Sequence, residues 1–340
     1  MSNKRYVLVT GGAGYIGSHT CVALHEAGYT PVIADDFRNS SENIINGITN
    51  LIGSKPILHE VDVCDPAEMR TLFEKYDFLG VIHFAAYKAV GESVEEPLMY
   101  YRNNLDSLLT LLELSSEFEL KRIVFSSSCT VYGTPKSPVV DEKSDVIEAS
   151  SPYGATKQMS ERILSDYHAS KKNCGIINLR YFNPVGAHPS GEIGELPLGR
   201  PNNLFPFVTQ TAAGVRKSLT VFGNDYTTED GTCLRDYIHV VDLAEAHVQA
   251  LKYLESHPKA SEIFNLGTGE ATSVLEIIHT FEEQTGVKLN WTFGERRSGD
   301  VEQIYADPAK AEKELGWVAQ RSVKDAIIDA WNWEKKIRNV

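Results

Sequence analysis

The sequence has no C-x-x-C pair, no H-x-x-x-H pair, no basic run and no apolar stretch long enough to cross a bilayer. Its five cysteines, Cys21, Cys64, Cys129, Cys174 and Cys233, are odd in number and scattered, which indicates neither a disulfide framework nor a zinc site. The ten histidines read as surface or core residues, and no metal is expected. A net charge of -13 argues against a basic surface for nucleic acid or anionic membrane, while leaving room for a local pocket that holds a phosphorylated ligand. Met1 to Arg5 lead straight into a strand-like segment, without the apolar stretch of a signal peptide. The expectation is a cytoplasmic protein with no nucleic-acid or membrane partner. With 340 residues, 42% of them hydrophobic, the chain is long enough for two domains and a sizeable core.

The first half alternates short apolar runs with helical patterns. Tyr6 to Thr10 reads as a strand, followed by Gly11-Gly12-Ala13-Gly14-Tyr15-Ile16-Gly17 and a helix that stops at Gly28. Gly12, Gly14 and Gly17 fit G-x-G-x-x-G, and Gly11, Gly14 and Gly17 fit a G-x-x-G-x-x-G variant; either lets backbone N–H groups approach a pyrophosphate. The strand Pro31 to Asp36 then ends in Asp35 and Asp36, at the distance where a carboxylate holds ribose hydroxyls and repels a 2′-phosphate. NAD is therefore favoured over NADP. Strands follow at Ile57 to Val63, with Asp62 near its end, at Gly80 to Ala86, at Arg122 to Ser127 and at Ile176 to Phe182, which closes the parallel series. Asp65 and Glu68 form a candidate capping box. A helix from about Ser93 to Phe118, interrupted near Pro97, should pack Leu98, Tyr101, Leu105, Leu108, Leu109 and Leu112 on the sheet. The fold class is α/β: a Rossmann-type doubly wound parallel sheet with a smaller C-terminal α/β substrate domain. The boundary is placed at the Gly- and Pro-rich stretch after Phe182, giving domains 1–182 and 183–340, with some later segments returning to the sheet.

Ser151-Pro152-Tyr153-Gly154-Ala155-Thr156-Lys157 puts a phenol and an ammonium four residues apart, just after a Ser-Pro helix start. Both side chains then leave one helix face. A tyrosine with an ordinary pKa of about 10 needs roughly three units of lowering, or ~4 kcal/mol, to serve as a base at neutral pH. One cation at ~6 Å and an effective dielectric of ~20 supplies about 2.8 kcal/mol. A second positive charge would close the gap, and an oxidised nicotinamide ring carries one. The same spacing also occurs on solvated helix faces. Upstream, Ser126-Ser127-Ser128-Cys129-Thr130 lies at a strand's carboxyl end, where hydroxyls reach a ligand or merely cap a turn.

A dinucleotide turn, a Ser-rich strand end and Y-x-x-x-K in this order resemble the extended short-chain dehydrogenase/reductase superfamily. The second half narrows the resemblance. Tyr181 to Gly191, Pro201-Asn202-Asn203-Leu204, Phe222 to Tyr226, Thr228 to Thr232, Arg235 to Val240 and Arg296-Arg297-Ser298-Gly299-Asp300 resemble the UDP-glucose 4-epimerase family over nearly the whole chain. The resemblance implies an NAD-dependent, redox-neutral exchange of UDP-galactose and UDP-glucose through a 4-keto sugar. It implies Tyr153 as base, Lys157 as the cation that holds the nicotinamide ribose and lowers the tyrosine pKa, and Ser128 as hydrogen-bond partner of the reacting oxygen. For the cofactor it implies Gly11, Gly14, Tyr15, Ile16, Gly17, Asp35, Asp36, Phe37, Arg38, Asn39, Ser40, Asp62, Val63, Phe84, Ala85, Ala86, Tyr87, Lys88, Asn103 and Phe182. For the UDP-hexose it implies Ser128, Thr130, Tyr153, Asn183, Asn203, Leu204, Thr220, Val221, Phe222, Arg235, Arg297, Asp300 and Ile304. Arg235 and Arg297 are expected to face the diphosphate, whose oxygens suit a guanidinium fork.

At Ile304 the family commonly has a bulky tyrosine or a small cysteine, the former excluding and the latter admitting N-acetylated sugars. Isoleucine is neither, which leaves UDP-GalNAc and UDP-GlcNAc open as further substrates. The rival 4,6-dehydratases usually place Asp-Glu after the strand-end hydroxyl, where this chain has Cys129-Thr130. A non-catalytic NAD-binding relative would usually have lost the Tyr or the Lys. As in the family, the Ser93–Phe118 and Tyr153–Ser170 helices are expected to pair across a homodimer.

Overall fold

The computed structural model describes residues 4–171, 173–297 and 300–340, so Ser298 and Gly299 of the Arg296–Asp300 motif lie outside the described residues. The first half runs β1 (Tyr6–Thr10), α1 (Tyr15–Glu26), β2 (Thr30–Asp35), α2 (Asn43–Ile52), β3 (Ile57–Glu60), α3 (Pro66–Lys75) and β4 (Phe78–His83). It continues through α4 (Val90–Glu95), α5 (Pro97–Glu117), β5 (Arg122–Ser126), β6 (Val139–Val140), α6 (Pro152–Ser170) and β7 (Gly175–Tyr181). The remainder comprises β8 (Asn183–Val185), α7 (Leu204–Ala212), β9 (Leu219–Phe222), β10 (Leu234–Arg235), β11 (Tyr237–His239), α8 (Val240–Ser256) and β12 (Ser261–Leu266). Then come β13 (Thr272–Ser273), α9 (Val274–Thr285), β14 (Trp291–Gly294), β15 (Gln303–Ala306) and α10 (Val323–Arg338).

Seven strands form one sheet in the order β12-β7-β5-β4-β1-β2-β3, with every pairing parallel. Parallel strands buried on both faces need continuous apolar runs, and Val7, Leu8, Val9, Val32, Ile33, Val81, Ile82, Ile123 and Val124 are fully buried. One apolar cluster joins the sheet to α1, α2 and α8; the other joins it to α3, α5 and α6. The chain reverses its direction of growth between β1 and β4, which opens a crevice at their carboxyl ends. A third cluster lies among α7, α9 and α10, and a fourth joins Val131 and Tyr132 to Phe182 and Ile304.

Three sequence expectations change. The β7 strand does not close the parallel series, because β12 pairs along it from Ser261↔Ile176 to Leu266↔Tyr181. Long-range pairing of this kind leaves no local sequence signal. The Ser93–Phe118 pattern is two helices broken at Glu96, and the buried side of the second carries Tyr100, Asn104, Ser107, Leu108, Leu111 and Leu112. Leu98 and Leu109 face outward, because polar Asn104 and Ser107 take the inner face to bond the Ala85–Tyr87 loop. At α3, Asp65 caps Ala67 and Glu68 as expected, but the Glu68 carboxylate accepts from Asp62 N at 2.8 Å instead of closing a capping box.

Candidate active site

The glycine turn after β1 is set by space. Gly11 has φ +68, and a Cβ there would sit 2.9 Å from Ala85 N; one on Gly17 would sit 2.2 Å from Gly11 O. Any side chain at either position would push the β1 turn off the β4 turn or off α1. Gly14 caps α1 without a side-chain hydrogen bond, so the first-turn amides are left for an anion. Asp35, 8% exposed, accepts from Ala13 N, Phe37 N and Ser40 Oγ, each at 2.9 Å. Burial pushes its carboxyl up while these bonds pull it down. Phe37 is held at φ 56, a conformation costly for an aromatic residue and maintained here by Asp35 and by packing on the core.

Arg38 gathers the rest of this rim. It donates to Tyr87 Oη at 3.0 Å, Asn103 Oδ1 at 3.3 Å and Asp62 Oδ2 at 2.9 Å, and pairs with Asp36 at 2.7 Å. Asn39 is exposed beside it, and Val63 is buried. On the opposite side of the crevice Phe84 N bonds Thr10 O, and Tyr87 N donates to Asn104 Oδ1 at 2.8 Å. Ala86 is half-buried in that loop. Lys88 reaches Glu195 at 3.4 Å and lies 5.9 Å from the Tyr15 ring, whose hydroxyl bonds Gly186 O. Ile16 is half-buried and packs on the sheet core.

Ser151 caps α6 by accepting from Gly154 N, and Pro152 occupies its first turn. Tyr153 and Lys157 are 7% and 4% exposed, with Lys157 Nζ 5.9 Å from the Tyr153 ring centroid. The ammonium donates to Ser126 O at 2.7 Å. Ser128 starts a 3-10 turn, Cys129–Tyr132, by accepting from Thr130 N. Among the described residues the buried Thr130 hydroxyl has no hydrogen-bond partner, which leaves it free to bond a ligand. Burial pushes the Tyr153 phenol well above 10, Tyr181 adds to this, and the Ser128 hydroxyl opposes it. Burial also lowers Lys157 to about 8, against the pull of Glu161. Desolvation is thus the largest influence on the phenol, a cost that the sequence reading, which weighed Lys157 and a second positive charge, did not include.

On the facing side, Asn183 N and Nδ2 both donate to Asp236 O, and Phe182 is buried beside it. Asn203 precedes α7 without capping it and donates to Glu195 Oε1 at 2.8 Å; Leu204 begins the helix. In β9 Val221 is buried, whereas Thr220 and Phe222 are half-exposed. Arg297 lies 5.1 Å from the Phe222 ring centroid. The Asp300 carboxylate sits between Arg297, at 2.9 Å, and Arg235, at 3.7 Å, so the two arginines converge on an internal anion. Ile304, 6% exposed, is the β-ladder partner of Arg235. Asn104, Glu161, Arg180 and Glu195, which sequence reading passed over, tie these groups together. Only Glu161 carried a signal, as the next i+4 position after Lys157.

The family described as GDP-mannose 4,6 dehydratase matches residues 8–330. A UDP-glucose 4-epimerase of Arabidopsis thaliana is 51% identical over 330 residues, covering 96% of this chain and 94% of that protein. The chain belongs to this family, in its UDP-glucose 4-epimerase branch. Among solved epimerases, that of Stenotrophomonas maltophila with bound NAD and formylated UDP-arabinopyranose superposes with a TM-score of 0.96. It is 44% identical, covering 98% of this chain and 99% of the other. The Bifidobacterium longum epimerase in complex with NAD+ and UDP gives 0.95 at 44% identity, with the same coverage. Where the rival dehydratases place an acidic pair, this epimerase relative has Cys129, whose thiol burial pushes up to about 12, and the neutral Thr130.

Proposed function

We propose that this chain catalyses the reversible, redox-neutral interconversion of UDP-galactose and UDP-glucose through a 4-keto sugar, with NAD as resident cofactor. The observation that carries this reading is the buried Tyr153–Lys157 pair with Ser128 and the unpartnered Thr130 hydroxyl, at the carboxyl end of the parallel sheet. The side-chain-free cradle of Gly11, Gly14 and Gly17, with the amides of α1 and the Asp35 carboxylate, fits a dinucleotide. Bound there, NAD supplies reversible hydride acceptance. Tyr153 takes the proton from the C4 hydroxyl and later returns it, help typically worth ~10²–10⁴-fold. Ser128 hydrogen-bonds the reacting oxygen, and Lys157 keeps positive charge beside the phenol. Arg235 and Arg297 anchor the diphosphate, which would leave the hexose free to turn over and present its other face.

In this reading residues 1–182 carry the cofactor and most of 183–340 the nucleotide sugar, with β12 contributing to the cofactor sheet. Exposed Val94, Leu98, Leu109 and Met159 on α4, α5 and α6 support a homodimer through these helices. A sedimentation run showing only a 37.8 kDa particle would remove that assembly. Five free cysteines suit the reducing cytoplasm. The deciding experiment incubates purified protein with UDP-galactose and no added cofactor. UDP-glucose should form without net NADH, and Tyr153→Phe should abolish it. Absence of product even with added NAD would sink the assignment.

A further inference from the structure

One turn beyond Lys157 on the same helix face lies Glu161, 9% exposed, and it meets Arg180 of β7, 3% exposed. The pair is bidentate: Arg180 Nε donates to Oε1 at 2.9 Å and Nη2 to Oε2 at 2.6 Å. Glu161 Oε1 also accepts from Ser127 Oγ at 2.5 Å, and Arg180 Nη1 donates to Tyr132 Oη at 3.1 Å. These partners flank the reacting groups. Ser127 precedes Ser128, Tyr132 ends the turn that presents Thr130, and Arg180 precedes Tyr181, whose hydroxyl shares a 2.5 Å hydrogen bond with Ser126 Oγ. Ser126 in turn supplies the carbonyl that holds Lys157 Nζ. One ion pair thus ties α6, the end of β5, the 3-10 turn and β7.

We propose that the buried Glu161–Arg180 pair is a positioning unit for Tyr153, Lys157 and Ser128, and that Glu161 retains the proton on Lys157. The inference rests on the catalytic reading of those three residues. Neither partner of the pair is placed to touch substrate; both act through their neighbours. The groups facing Lys157 are Tyr153 and Glu161 on α6, His83 of β4, and the Phe125 ring and Ser126 carbonyl of β5, with Tyr181 of β7, Cys129 and Tyr100 around the phenol. Burial and the Lys157 charge hold His83 near 3, and burial holds Tyr181 near 12 and Cys129 near 12, so these are neutral at working pH. Glu161 is therefore the charged group that acts on Lys157, and Arg180 bears on it through its pairing with Glu161. Glu161 is the nearer along the helix and favours the ammonium.

The test uses the NAD-loaded enzyme. Glu161→Gln leaves Arg180 as an unbalanced buried cation. The expected result is a fall in kcat of about 10–100-fold from lost alignment, with KM for UDP-galactose within about twofold. The alkaline limb of kcat/KM should move down by up to about two pH units, the scale set by one charge a helical turn away at an effective dielectric of ~20. A readout independent of turnover is the Tyr153 phenolate absorbance, taken as the difference from the same protein carrying Tyr153→Phe; it should also titrate at lower pH. Removing one partner of a buried pair is strongly destabilising, whereas neutralising both is often tolerated. The double variant Glu161→Gln/Arg180→Gln should therefore fold, with a limb between those of the wild type and the single variant. An unmoved limb in either soluble variant would overturn the proposal by reducing the pair to a structural brace. If Tyr153→Phe itself turns over, the catalytic reading fails; if it is inactive and the limb stays put, only this inference fails.

Discussion

The two sides of the crevice are held by different means. On the candidate cofactor side the decisive features are backbone and buried groups: Gly11 and Gly17 with no space for a Cβ, and an 8%-exposed Asp35 bonded by three donors. On the candidate sugar-nucleotide side they are charged side chains bonded to the chain's own acids. Asp300 lies between Arg235 and Arg297, and Glu195 holds Asn203. A preformed cradle binds without rearranging, whereas an arginine already paired must exchange one anion for another. The arrangement suits a resident cofactor and an exchangeable substrate.

Gly17→Ala tests the first half of that comparison. Its Cβ would fall 2.2 Å from Gly11 O and 2.8 Å from Gly12 Cα, both backbone atoms that cannot swing aside. Overpacking of about 1–3 kcal/mol corresponds to roughly 5–150-fold in cofactor affinity. The variant should purify folded but depleted of NAD, with turnover restored only by added cofactor. A full complement of NAD in the purified variant would mean that the cradle is not what retains it. Arg235→Gln tests the second half. Losing a charge-assisted contact of about 1.5–3 kcal/mol should raise KM for UDP-galactose by roughly 10–150-fold while leaving NAD content unchanged. Loss of NAD in this variant would show that the two sides are not separable.

The cradle was legible in the sequence because its physics is local. A strand, three glycines, a helix and an acid at the next strand end specify both the turn and the crevice, and Tyr153 and Lys157 follow from helical spacing. The sugar-nucleotide side was legible only through family motifs. Nothing in the spacing of Arg235 and Asp300 says that they meet, because β10 and β15 are brought together by tertiary pairing. The same limit hid β12 as the outer strand and Arg180 as the partner of Glu161. On α5, hydrophobicity pointed to Leu98 and Leu109, whereas Asn104 and Ser107 turned inward for their hydrogen bonds to the Ala85–Tyr87 loop. A stripe of leucines marks the core only when no loop inside needs a polar partner.

Lys157 gives the comparison a pH dependence. Its folded pKa is lowered by burial to about 8, against an ordinary value near 10.4 in the unfolded chain. As pH rises through 8 the ammonium beside Tyr153 is lost, and kcat/KM should fall about tenfold per unit above the limb. Stability responds with the opposite sign. Between about 8 and 10.4 the unfolded chain binds the additional proton, so the Lys157 contribution to unfolding free energy rises with pH. Below 8 the cost of burying the charge is present in full. The Tm difference between wild type and Lys157→Met should therefore shift in favour of wild type across this window while activity declines. A difference that moved the other way would mean that Lys157 keeps its charge above pH 10.

The smallest effect is expected at Ile304, which belongs to neither holding system. It is 6% exposed and packs with Val131, Tyr132, Val140, Phe182 and Ala306, so its neighbours include the residues adjoining Thr130 and Asn183. Ile304→Cys removes side-chain volume from that cluster, at about 1 kcal/mol or more in stability for the space left behind. The space should favour an N-acetyl group over a hydroxyl, and pocket differences of this kind change selectivity by about 10-fold. The measured quantity is the ratio of kcat/KM for UDP-GalNAc to that for UDP-galactose, with NAD content as the control. A rise in the ratio with unchanged NAD places substrate range on the side-chain-built half of the crevice. An unchanged ratio would mean that the core cluster absorbs the vacancy, leaving sugar range to the arginine and asparagine contacts.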